Sequence, residues 1–422
     1  MRAFEPAAIG TVGLKNRILR SATFEGMCGR DGTPGPEYVG LYTMLSSQEL
    51  GALLTGFAYI SEDGRAMQPG QAGLEADHKV AAFSRVTEAV HRNGCPIFLQ
   101  LAHAGRQTVP EATGGRIYAP SSRKSRYFNH RPCRLSEAQI EQIIQCFAAA
   151  ARRARDAGFD GVQLHGAHGY LIHQFLHPAI NDRTDAYGID PHRGIGIAFL
   201  DRVIDSIRVA CGSDYPLLIK ISAGDNYRRS MTEQEFGHLI RFLDAKKLAA
   251  VEISFGTMDH ALNIFRGQTI PVQSILDYNA RYRTRNAVKR FVWKTLVLPL
   301  LKRDLAPFTP MYNLPAARLA KQLGTLPVIC VGGFRSGAQI RHAIETQGID
   351  FVSLCRPILC EPDFVMKVRR QQQYQARCTN CNRCAIMCDS GFPTRCYARR
   401  TASTATRDPT ESIGAQNHIR AP

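Results

Sequence analysis

Eight short apolar runs, many of them β-branched, recur along the chain, each separated from the next by a stretch of helical periodicity. They lie around Ile18 to Ala22, Ala52 to Ile60, Pro96 to Leu101, Gly161 to Leu164, Leu217 to Ser222, Val251 to Phe255, Val328 to Val331 and Phe351 to Leu354. Unbroken hydrophobic strands alternating with helices imply a parallel sheet covered on both faces. Eight such units imply an α/β fold of the (β/α)8 barrel type, the TIM barrel. The competing doubly wound sheet lacks its signature, because no strand runs into G-x-G-x-x-G. Helix starts are well marked: Ser136 with Gln139 and Thr232 with Glu235 form capping boxes, and Gly158 ends the first of these helices.

The 422 residues, 44% hydrophobic, suffice for one large barrel and an appendage. No apolar run reaches spanning length and the N-terminus lacks the order of a signal peptide, so a cytoplasmic protein is expected. Three segments exceed a minimal barrel. The stretch 104–135 is long and arginine-rich. The stretch 281–303 begins with Arg281, Arg283, Arg285, Lys289 and Arg290 and continues as FVWKTLVLPLL, where Pro299 is expected to interrupt any long helix. The tail after Cys396 is polar and unpatterned. The expected organisation is a barrel over 1–372, a Cys-rich segment over 373–397 and a disordered tail over 398–422. The formal charge of +17 raises the question of an anionic partner, and the basic segment could meet an acyl-CoA, the 2′-phosphate of NADPH or an anionic membrane, or form a solvated helix face.

On a barrel, catalytic residues gather where the strands end. The fourth run leads into GVQLHGAHGYLIHQFLHP, which places His165 just after the strand and His168 three residues on, among glycines expected to let groups lie close beneath a flat ligand. A histidine pair hydrogen-bonded inside a βα turn is the plainer alternative, and a metal pair lacks an acidic neighbour in sequence. The seventh and eighth runs lead into VGGFRSGAQI and LCRPILCEPD, at the barrel position that often binds phosphate. Gly332 and Gly333 free backbone N–H groups for an anion and Arg356 adds a planar charged fork. Gln100 ends the third strand facing the mouth, and Lys220 ends the fifth. A glutamine offers donor and acceptor to a heterocycle edge, and a lysine offers positive charge. A planar heterocycle carrying a phosphate satisfies all of these at once.

With LKNRILRSAT, LQLAHAGR, HGAHGYLIHQFLHPAINDRTDAYG, PVICVGGF and LCRPIL in order on the expected strand ends, the chain resembles the Old Yellow Enzyme family of FMN-dependent oxidoreductases over nearly all of residues 1 to 370. The resemblance implies flavin contacts from Ser21, Ala22 and Thr23, with Ala22 standing where proline is common. It implies Gln100 on the pyrimidine side of the ring and Lys220 beside N1 and O2. It also implies a phosphate cradle of Gly333, Cys355 and Arg356, with Cys355 where glycine is usual. His165 and His168 match paired donors that grip a substrate oxygen, and Tyr170 matches the tyrosine that protonates the α-carbon of an activated alkene. The activity implied is NAD(P)H-dependent reduction of an α,β-unsaturated compound. A functional histidine of dienoyl-CoA reductases falls near His260.

Near the C-terminus, CTNCNRCAIMCDSGFPTRC contains C-x2-C-x2-C-x3-C, a ferredoxin-like spacing for a 4Fe–4S cluster, and a zinc ribbon or redox-labile thiols fit the count as well. In the larger relatives trimethylamine dehydrogenase and bacterial 2,4-dienoyl-CoA reductase the last ligand lies well downstream. That likeness selects Cys378, Cys381, Cys384 and Cys396 and leaves Cys388 spare. With a cluster, the alternative activity is an oxidative dehydrogenase or demethylase that passes single electrons to a protein partner. A redox-sensing, nucleic-acid-binding module is the third reading, and no nucleic-acid partner is expected if FMN binds and turns over. Oligomerisation is left open.

Overall fold

The structure, a computed structural model, describes residues 1–279 and 281–398; the tail expected to be disordered lies, from residue 399 on, outside the described residues. Eight strands close into one barrel: β1 (Ile18–Arg20), β2 (Ala52–Tyr59), β3 (Ile97–Ala102), β4 (Gly161–Gly166), β5 (Leu217–Ser222), β6 (Ala250–Ser254), β7 (Val328–Val331) and β8 (Phe351–Leu354). Every neighbouring pair is parallel, and β8 returns to pair with β1 through Val352 opposite Ile18. Each expected apolar run is one of these strands, because a strand buried on both faces has no polar position to interrupt its pattern. The fourth runs two residues further than its apolar core suggests, so His165 is the penultimate residue of β4 and does not follow it.

The barrel interior is layered. Leu19, Leu54, Phe98, Leu218, Ile329 and Phe351 fill its base. A short hairpin, Ala7–Ile9 against Val12–Leu14, adds Ile9 and Leu14 to the same cluster and so stoppers the N-terminal end. Full burial of each such side chain is worth about 2 kcal/mol. Outside, helices such as Glu137–Asp156 and Glu233–Ala245 lay apolar faces on the sheet, and both begin with the expected capping boxes.

The basic segment departs from expectation. Ala287–Val292, a wide π turn over Trp293–Val297 and Leu298–Arg303 follow one another without a break, so Pro299 does not interrupt the helix. Proline lacks the N–H that a regular turn would need there, and the π turn just before it absorbs the irregularity. The Cys-rich segment packs against the barrel mouth. The Thr394 N–H donates to the Glu25 carbonyl at 2.7 Å, the Gln68 amide donates to Asp389 at 3.0 Å, and Phe392 meets Tyr278 ring to ring. No described helix is long and apolar enough to cross a membrane.

Candidate active site at the barrel mouth

Above the apolar base lies a polar layer built on one carboxylate. Glu252, fully buried on β6, accepts hydrogen bonds from the Ser21 hydroxyl (2.7 Å), the Ser353 hydroxyl (2.6 Å) and the Gln163 amide (2.9 Å). Lys220 of β5 stands 3.2 Å from Glu252 and donates to Ser21 at 2.9 Å. A charge so deeply buried persists only when paired and hydrogen-bonded, and both conditions are met here. Gln100 donates to Gln163 at 2.6 Å, which ties its amide into the same layer. Glu252 was missed in the sequence, although a lone acid inside the apolar run VEIS was the available signal.

The two histidines rise above this layer. His165 and His168 stand edge to face with ring centroids 5.1 Å apart, and the Tyr170 ring is 4.7 Å from His165. Phe57 from β2 closes the group from the side, 5.3 Å from Tyr170. His168 adopts a left-handed backbone (φ 60°), and its Nε2 is 2.8 Å from the Ser254 hydroxyl. The turn that carries it is held from the helix Leu171–Leu176. His173 Nδ1 accepts from the Gly169 N–H at 2.8 Å, and the Gln174 amide donates to the Gly169 carbonyl at 2.7 Å. The glycines also serve protein contacts. A Cβ on Gly166 would lie 3.0 Å from the Lys220 carbonyl.

Burial pushes both imidazoles well below the usual histidine value, and the Lys220 charge pushes the same way. Both are therefore neutral near pH 7, each with one donor and one acceptor nitrogen. Burial, with Asp389 and Cys388 nearby, raises the Tyr170 phenol above its usual value, so it keeps its proton. His165 Nδ1 is buried with no hydrogen-bond partner. That orphaned atom separates this pair from histidines satisfied within a turn, since a buried polar group left unmade costs about 1–3 kcal/mol.

One cavity joins the remaining elements. Ser21, Ala22, His168, Lys220, Gly332, Gly333, Cys355 and Arg356 all line it. Thr23, whose hydroxyl donates to the Ser21 carbonyl at 2.9 Å, and Gln100, tied to Gln163, are not part of its lining. Gly332 and Gly333 have φ of 112° and 78°, and an added Cβ would meet the Tyr312 ring at 2.6 Å and the Met311 nitrogen at 2.5 Å respectively. Only glycine fits there. The Arg356 guanidinium donates to the Asn382 side chain at 2.8 Å, which brings the Cys-rich segment to the arginine end of the cavity. A buried ammonium and a glycine cradle beside an arginine fit a phosphorylated planar heterocycle such as FMN. His260 lies elsewhere, in a neighbouring cavity with Arg126, Tyr127, Asp259 and Trp293.

Cys378, Cys381, Cys384 and Cys396 converge on a further cavity that also takes in Cys360, and Cys388 is not part of its lining. Among the described residues, however, no three His, Cys, Asp or Glu side chains are arranged to hold one metal ion. Burial pushes the Cys384 and Cys360 thiols up to about 12, so both stay protonated near pH 7. The four cysteines selected by the likeness therefore share one cavity, while Cys388 lies outside it. Thiols bind a metal as thiolates, so loading such a cavity would release their protons.

A sequence model of the NADH:flavin oxidoreductase / NADH oxidase family matches residues 2–298. The chain is 29% identical over 401 residues to a 4,4'-dithiodibutanoate disulfide reductase of Rhodococcus erythropolis, covering 94% of each chain. It is 31% identical over 275 residues to an NADPH dehydrogenase of Bacillus subtilis strain 168, covering 64% of this chain and 78% of that one. Against an NADH oxidase of Thermoanaerobacter brockii it is 29% identical over 381 residues, which is 90% of this chain and 52% of the relative, so the chain spans about half the length of that protein. Among solved structures, an old yellow enzyme homologue from Zymomonas mobilis superposes with a TM-score of 0.67 at 22% identity, covering 89% of this chain and 94% of that one. Likeness at that identity speaks for the fold.

Proposed function

From the premise that this chain belongs to the NADH:flavin oxidoreductase / NADH oxidase family, the family of the Old Yellow Enzymes, we propose that it uses NAD(P)H to reduce an activated carbon–carbon double bond at the mouth of its barrel. Bound FMN would supply the two-electron hydride chemistry. The observation that carries the reading is the neutral pair His165 and His168 beside Tyr170, with one imidazole nitrogen unpartnered. A carbonyl or nitro oxygen placed between the rings accepts an N–H from each, which draws electron density from the β-carbon. In the tautomer in which the Ser254 hydroxyl donates to Nε2, His168 has Nδ1–H for that purpose. Tyr170 holds its proton at the phenol oxygen for delivery to the α-carbon. Lys220, steadied by Ser21 and Glu252, would present positive charge to bound FMN, and Gly332, Gly333 and Arg356 would hold its phosphate. The organisation that goes with this is a barrel over 1–372 with the Cys-rich segment of 373–397 folded against its mouth.

Cyclohexenone reduction by the FMN-loaded protein tests the reading. His165→Ala with His168→Ala should lower kcat/KM about 100-fold or more while NADPH still bleaches the flavin. Tyr170→Phe should slow alkene reduction about tenfold or more and leave the NADPH half-reaction alone. Equal loss of both half-reactions in either variant would sink it. A second reading rests on the relative matched over 94% of both chains, whose name gives a disulfide as substrate. The neighbouring cavity carries Arg126 and Arg281, suited to a carboxylate-bearing disulfide. Faster turnover of 4,4'-dithiodibutanoate than of cyclohexenone would favour that substrate class.

A further inference from the structure

The helical stretch from Ala287 to Arg303 has two apolar faces, and only one is covered. Its inner face, with Trp293 and Leu301, packs on Ile275, Leu276 and Ile386. Its outer face presents Val288, Phe291, Val292, Leu296 and Leu300 to solvent, at 70, 67, 43, 63 and 61% exposure. These are five of only eight large hydrophobic residues so exposed among the described residues. Their spacing of three and four places them along one side of the helix, so this is a stripe and not scatter.

Charge says what covers it. Between Asp277 and Asp304 the sequence holds eight arginines and lysines and no carboxylate. Arg290 pairs with Asp277 and Arg281 lines the inner cavity, but a second copy docked on this face about a two-fold axis would bring the remaining cations against the same set, which opposes self-association. An acidic protein could neutralise them but offers no reason for a continuous row of aliphatic and phenyl groups. A surface with anionic headgroups above an acyl layer satisfies both halves at once.

We propose that the 287–303 helix docks the protein on anionic membrane surfaces, with Phe291, Leu296 and Leu300 entering the acyl boundary and the lysines and arginines beside them contacting headgroup phosphates. The inner face of the same helix walls the cavity that carries Arg126 and His260, so docking sets that cavity directly behind the lipid contact.

The test is co-sedimentation of the FMN-loaded protein with phosphatidylcholine vesicles, with and without about one-third phosphatidylserine. Binding is expected only to the anionic vesicles and should weaken steeply as salt rises. The triple variant Phe291→Ser, Leu296→Ser, Leu300→Ser should bind about tenfold or more weakly, with unchanged flavin content and unchanged NADPH oxidation in solution. Those side chains are exposed, so the fold tolerates their loss, and circular dichroism checks that it does. Equal binding to neutral vesicles, no binding to either, or a triple variant that binds as the parent does would overturn the proposal. So would sedimentation velocity showing that the parent is an oligomer and the variant a monomer, which would assign the stripe to a second copy.

Discussion

Glu252→Leu is the most direct probe of how the site is held. The substitution keeps the volume roughly and removes the one carboxylate in the middle layer of the barrel. Lys220, 4% exposed, then has no counter-charge, since its remaining partner is the Ser21 hydroxyl. Removing one member of a buried pair costs about 3–5 kcal/mol because the other charge stays desolvated. Ser21, Ser353 and Gln163 also lose their acceptor, at about 1 kcal/mol for each that finds no substitute. A loss of at least about 4 kcal/mol is therefore expected, measured by urea unfolding followed by far-UV circular dichroism with FMN removed, so that cofactor affinity does not enter the comparison. The double variant Glu252→Leu with Lys220→Met takes both charges away and should recover all but about 1–2 kcal/mol, because an apolar pair of similar volume suits the site. A single variant that costs under about 1 kcal/mol, or a double no better than the single, would refute the argument that this pair is desolvated and mutually dependent.

Stability should fall on the acid side through the two site histidines. Both are held below the usual value in the folded protein, so the unfolded chain binds more protons below about pH 6.5; their contribution is intact above that pH and is lost as pH drops through it. Between about pH 6.5 and 5.5 the parent should lose about 2 kcal/mol more than the variant His165→Gln with His168→Gln, and parallel pH profiles would show that the rings are not buried neutral. Gly333→Ala forces a side chain onto a φ of 78° with its Cβ 2.5 Å from the Met311 nitrogen, a strain of about 1–3 kcal/mol placed on the phosphate cradle. FMN affinity, read by flavin fluorescence, should fall about tenfold, and unchanged affinity would mean that the phosphate lies elsewhere.

Much of this protein was legible in its sequence because barrel strands and glycine turns are local events. Eight apolar runs are eight strands, and GVQLHG carries its histidine to the mouth because side-chain direction alternates along any strand. The capping boxes at Ser136 and Thr232 likewise depend on residues three apart. The family motifs fell on the strand ends for the same reason. What the sequence could not hold is which distant groups meet. Glu252 meets Lys220 because β5 and β6 are neighbours with these residues in register, and it meets Ser21 only because barrel closure brings the end of β1 across the interior. His165 is neutral only because that interior excludes water. The C-x2-C-x2-C spacing specified nearby cysteines, but that Cys360 and Cys396 join them around one cavity depends on how the segment packs against Arg335 and Arg356. Period and turn chemistry act over a few residues; desolvation, charge pairing and the covering of one helix face but not the other act across the whole closed surface, and only the tertiary structure decides them.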